Sequence, residues 1–227
     1  MPAGVVPYAL SSAYELLIES LEEAAASANC GFVRRAAPIL ECFSREEDGT
    51  IGFDCILHLQ DWAARGSRIH ILLHAEETIR GSGSVYILER STVRLNYYRL
   101  QDESAYLLQG LHFDHGPLMR RHPIFHAQLT NEIINLSSSA AEELEFKMEQ
   151  MPCSACFREA RIPTADMTLP SVLLCLAADH FGQNFSSFLE EVRRIQGRLP
   201  QPTIEPTKTS ISRSSDLRSS HWFAHEP

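Results

Sequence analysis

No apolar run in this 227-residue sequence is long enough to cross a bilayer. Its first residues, MPAGVVPYALSSAYELLIESLEEAAAS, lack the basic start of a secretion signal and reach glutamates early. Basic residues are scarce, 20 Lys and Arg against 29 Asp and Glu, which argues against a broad positive surface for nucleic acid. There is no glycine-rich phosphate loop, since RGSGS at 80–84 lacks both the lysine and the dinucleotide spacing, and no Gly-x-Ser-x-Gly elbow. A cytoplasmic protein is therefore expected, with no membrane and no long nucleic acid among its partners. Six cysteines, at 30, 42, 55, 153, 156 and 175, are then expected as reduced thiols.

The hydrophobic fraction, 44%, is ordinary for a globular chain. Tyr14, Leu17, Ile18, Leu21 and Ala25 recur at helical spacing, so a helix is expected from about Ser11, with the serine pair as cap, to Ser27. Strand-like stretches follow: a hairpin around Asp48-Gly49, then RIHILLHAEETI, SVYILERSTVRLNYYRLQ, AYLLQGLHFDHG and HPIFHAQL. These predict an antiparallel β-sheet meander of about six strands. From Ser137, SSSAAEELEFKMEQM reads as a helix stopped by Pro152, and TLPSVLLCLAADHFG and NFSSFLEEVRRIQGRL as a C-terminal helical hairpin. The expected fold is α+β: the sheet, with the N-terminal helix and the helical hairpin packed on it. Residues 1–199 would form one domain, and 200–227, rich in Ser, Thr and Pro, a flexible tail.

Residues 111–129, LHFDHGPLMRRHPIFHAQL, hold four histidines, an aspartate and a glutamine. Side chains two apart on a strand share a face, so His112 and Asp114 point one way, as do Ile124, His126 and Gln128. If the two strands pair, these polar faces meet. Neutral imidazoles and a carboxylate suit a divalent transition metal, with His112, Asp114 and His126 as candidate ligands. The same three residues, without metal, suit acid–base catalysis in which Asp114 orients a histidine. Arg120 and Arg121, with Gln128, are the candidate substrate contacts, because guanidinium groups grip phosphate. The plain alternative is an exposed polar hairpin face with two solvated arginines. Cys153-x-x-Cys156 with Cys175 and His180 superficially fits a zinc site, but Cys175 and His180 are five apart on one helix and do not share a face.

HPIFHAQ at 122–128 and RIPTADMTLPSVLLCLAADHF at 161–181 resemble blocks of an uncharacterised group of bacterial hypothetical proteins. The resemblance implies a bacterial intracellular protein and carries no activity with it. It also implies that the histidine-rich strand and the Asp179-His180 helix end meet, with Arg161 and Thr164 nearby as anion binders. The first functional expectation is a binding module that engages another protein through its sheet face or helices. The second is a metal-dependent hydrolase, phosphodiesterase- or nuclease-like, using the 112–128 cluster. Either suits one half of a defence or toxin/antitoxin pair.

Overall fold

The computed structural model describes residues 6–27, 31–62, 68–82, 85–101, 104–115, 125–146, 149–151, 161–163 and 168–202. Helix α1 (Tyr8–Ser27) buries Leu10, Ala13, Tyr14, Leu17, Ile18 and Leu21, one stripe at three- and four-residue spacing. It begins ahead of the serine pair because the Pro7 carbonyl already accepts from the Leu10 and Ser11 amides. Ser11 is thus no cap; its hydroxyl donates back to the Tyr8 carbonyl at 3.2 Å.

The sheet is built on five long or medium strands in sequence: β3 (Ile51–Trp62), β4 (Arg68–Ser82), β5 (Val85–Gln101), β6 (Ser104–His115) and β7 (Phe125–Thr130). Each pairs antiparallel with the next. The expected meander is present, and helices flank it in the chain as an α+β fold requires. Five short strands extend it. β1 (Gly31–Arg35) and β2 (Phe43–Arg45) pair with β3, β9 (Arg161–Pro163) with β7, and β8 (Glu149–Met151) and β10 (Gln201–Pro202) lie parallel to β6 and β5. Gly49, at φ 89°, closes the β2–β3 turn where Asp48 Oδ1 accepts from the Thr50 amide at 2.9 Å.

The odd-numbered face of β3–β6 presents Phe53, Cys55, Leu57, Leu73, Ala75, Val93, Leu95 and Phe113 to α1, α3 (Leu169–His180) and α4 (Phe185–Ile195). This is the main core. α1 packs on both α3 and α4, and α4 contributes Phe188, Val192 and Ile195 from a single stripe.

The even-numbered face is divided. Residues 131–146, including α2 (Ser138–Glu143), fold over one half and enclose a second core of Leu72, Tyr98, Ile134, Leu144 and Phe146, with Ala105 and Leu107 brought onto this face by the register shift at Tyr97/Tyr98. Asn96, fully buried, clamps this cover: its Nδ2 donates to the Glu132 carbonyl at 3.0 Å, and its Oδ1 accepts from the Ile134 amide at 2.8 Å. Gly110 is required beside it, because a Cβ there would sit 2.3 Å from the Thr130 carbonyl oxygen. The helix expected over 137–151 is correct at its start, where Ser137 Oγ caps the Ala140 amide at 3.1 Å, and wrong beyond Glu143. Leu144 and Phe146 turn into the second core through Glu145 at φ 49°, and residues 149–151 become a strand. Burying two large apolar side chains outweighs local helix propensity.

Candidate functional site

The half of the even-numbered face that 131–146 leaves uncovered is polar across five strands. Register aligns Asp54, Glu76, Thr92, Asp114 and His126 in one row on β3 to β7, and Ile56, His74, Arg94, His112 and Gln128 in the next. The expected pairing of the histidine-rich strands is therefore met in detail: Asp114 lies opposite His126, and His112 opposite Gln128.

Asp114 is the hub at the β6–β7 end. Its Oδ1 lies 2.8 Å from His112 Nε2 and accepts from Thr92 Oγ1 at 2.8 Å, while Oδ2 lies 3.5 Å from His126 Nε2. Burial pushes the Asp114 carboxyl up, but His112, Thr92 and His126 together outweigh it and hold it below the usual carboxylate range. His126 is buried, and His112 and Asp114 are about a quarter exposed or less. A carboxylate set between two imidazoles can orient one of them as a base and stabilise its charged form.

At the β3–β5 end, His74 Nε2 lies 2.9 Å from Asp54 Oδ1, and Arg94 reaches Glu76 Oε2 at 3.0 Å and His74 Nδ1 at 3.4 Å. A guanidinium only donates, so Nδ1 accepts and the neutral His74 ring carries its proton on Nε2, toward Asp54. Asp54, His74 and Glu76 each offer one ligand atom, all within 4.8 Å of one another, which makes them a candidate cation group among the described residues. Sequence reasoning passed over these residues, and Thr92 and Arg94 with them. The signal was present: Asp54 and Ile56, His74 and Glu76, and Thr92 and Arg94 are each two apart on strands already recognised.

The remaining histidine of the 111–115 stretch and the α3 end implied by the resemblance do not gather here. His115 faces the opposite side, with Nε2 3.3 Å from the Leu88 carbonyl oxygen. His180 packs its ring 6.0 Å from Tyr97, on the helix-covered face, so the implied meeting of the α3 end with the histidine strand is corrected: the sheet lies between them. Arg161 pairs with Gln128 through the backbone of β9. Arg120, Arg121, His122, Cys153, Cys156 and Thr164 lie outside the described residues. No helix among the described residues is long and apolar enough to cross a membrane. No family model matches the chain, and neither a curated protein nor a solved structure is found to match it.

Proposed function

We propose that the protein is a binding module that engages a protein partner on the open half of its sheet. One observation carries this reading: ionisable side chains from five adjacent strands share a face that the chain's own 131–146 segment stops short of covering. Among the described residues, Asp54, Glu76 and Asp114 stand there against Arg94 and, at the β4–β5 edge of the patch, Arg90, so these groups leave the surface acidic when its histidines are neutral. The complementary partner presents basic side chains, and electrostatic complementarity of this kind governs encounter rate and specificity. The test compares capture of a partner by the full chain and by an Asp54→Asn/Asp114→Asn variant with unchanged circular dichroism. Selective loss in the variant, growing with salt in the wild type, supports the reading. Equal capture by both sinks it.

A second reading, a metal-dependent hydrolase, is favoured by the placement of Asp114 between His112 and His126, with Gln128 beside His112 as a substrate contact. Arg120 and Arg121 would supply the phosphate contacts. A divalent transition ion would be its cofactor. Elemental analysis of untagged wild type and of the His112→Ala/His126→Ala double variant tests it. Stoichiometric metal lost in a folded variant supports a ligand role, whereas metal absent from both, or retained in the variant, counts against one. Because His126 is 1% exposed, His112→Ala is the cleaner single change.

A further inference from the structure

We propose that Asp54, His74 and Glu76 form a binding site for a divalent transition ion, with a free coordination position facing an adjoining cavity. This site shares no residue with the His112–Asp114–His126 group and stands whether or not that group binds metal.

The donors come from two adjacent strands held in unbroken register. Asp54 pairs with Glu76, and Ile56 with His74, so all three side chains leave the same face at neighbouring positions. Strand placement fixes donor geometry more tightly than a loop would. Their ligand atoms lie within 4.8 Å of one another, a spread that a single ion can draw together. The donor set is one imidazole and two carboxylates. This mixture suits zinc or its first-row neighbours rather than magnesium or calcium, which favour oxygen alone.

A second observation is the open space onto which two of the donors face. A cavity of about 220 Å³ opens beside it, lined by Asp54, Glu76, Thr92, Thr78, Ser44 and Arg90 among others. Three protein donors and a solvent-filled fourth position are the arrangement of an ion available for exchange or chemistry rather than of a closed structural site. With Arg90 and the hydroxyls set against the carboxyl groups of the same lining, water or a small anion drawn by the bound ion is the co-ligand that would fit.

In the structure, Arg94 holds Glu76, and the His74 Nε2 proton faces Asp54. An incoming ion takes the place of that proton. The ring keeps its neutral charge by carrying a proton on Nδ1 instead, and Arg94 then turns from Nδ1 wholly onto Glu76. Arg94 is thus a competing cation, which gives the proposal an unusual second handle.

The experiment is titration of chelator-treated full-length protein with Zn²⁺ by calorimetry, with Co²⁺ absorption as the coordination signature. One equivalent is expected that depends on His74, counted apart from any ion held by the His112–Asp114–His126 group. His74→Ala and Glu76→Gln should each weaken binding by about tenfold or more, since even outer-shell changes at metal sites cost that much. Asp54→Asn, at a residue whose side chain is 69% exposed, repeats the test where folding is not at stake. His112→Ala should leave affinity unchanged, and Arg94→Gln should tighten it by about tenfold through loss of like-charge repulsion. No binding at millimolar Zn²⁺ overturns the proposal. So does wild-type affinity in both His74→Ala and Asp54→Asn, or loss of binding in His112→Ala, which would place the ion in the other group.

Discussion

One face of one sheet carries two histidine groups, and they have opposite characters. Under the 131–146 cover, His58 Nε2 lies 2.8 Å from His70 Nδ1, the rings stack at 5.1 Å, and Phe32 and Phe146 meet His58 edge-on. His58 Nδ1 donates to the Leu144 carbonyl at 2.8 Å, so Nε2 is the acceptor and His70 the donor. Burial drives the His58 pKa down to about 4. On the open half, a carboxylate replaces the aromatic lid: Asp114 beside His112 and His126, Asp54 beside His74. The same residue type in the same sheet is a neutral core hydrogen-bonder where Phe146 packs on it and an ion-pairing group where a carboxylate stands beside it. Cover and counter-charge decide what an imidazole does, and histidine density by itself does not.

The largest expected effect comes from removing the cover. Phe146→Ala should destabilise the protein by about 3–5 kcal/mol, the usual range for a buried phenylalanine, and should raise the His58 pKa by admitting water. Denaturant unfolding and an NMR titration of His58 check both parts. A mild loss with an unchanged His58 would mean that the lid is not what separates the two halves.

The pH dependence is next. The folded His58 pKa is depressed from 6.5, so the unfolded chain binds a proton that the native state refuses between about pH 6.5 and 4. Stability is full above that window and falls through it by about 3 kcal/mol as pH drops. Asp114, also depressed, adds its loss only at lower pH, as its carboxylate protonates. Unfolding measured from pH 7.5 to 3.5 should show the first loss flattened in His58→Phe and unchanged in His112→Ala. A flat wild-type profile between pH 6.5 and 4 would contradict the dry environment assigned to His58.

The smallest effect falls on the open half. Asp114→Asn should cost about 1 kcal/mol or less, as expected of a partly solvated ion pair, while abolishing the pairing that links His112 and His126. Thermal melts and the His112 ring NMR signals separate the two: little change in Tm with altered His112 signals sharpens the contrast, and a large fall in Tm would make Asp114 a structural residue.

Much of the architecture was legible because periodicity speaks directly about burial. The apolar-rich strands of the meander and the helical stripe of α1 stood out in the sequence, as did the Asp48-Gly49 turn and the shared face of His112, Asp114, His126 and Gln128. What stayed hidden depended on tertiary partners. Gly31–Arg35 has no burial alternation, every residue being half-buried, so only its pairing with β3 makes it a strand. Leu144 and Phe146 sit among helix-favouring residues and leave the helix to fill a second core that no local pattern announces. At the site, the clustered histidines of 111–129 drew notice, whereas Asp54, His74, Glu76 and Arg94 are spread over 41 residues of sequence and become neighbours only when β3, β4 and β5 align.

The packing of α1 on α4 sets a timetable for synthesis. The strands of the meander can pair as they emerge, each with the one just made. Helix α1, made before the meander, has its stripe waiting for Phe188, Val192 and Ile195, which leave the ribosome on the order of ten seconds or more later at translation rates of about 5–20 residues per second. Through that interval the apolar side of the sheet and the stripe of α1 have only each other for shelter, so the nascent chain is most exposed to aggregation, and most dependent on chaperones, before α3 and α4 arrive.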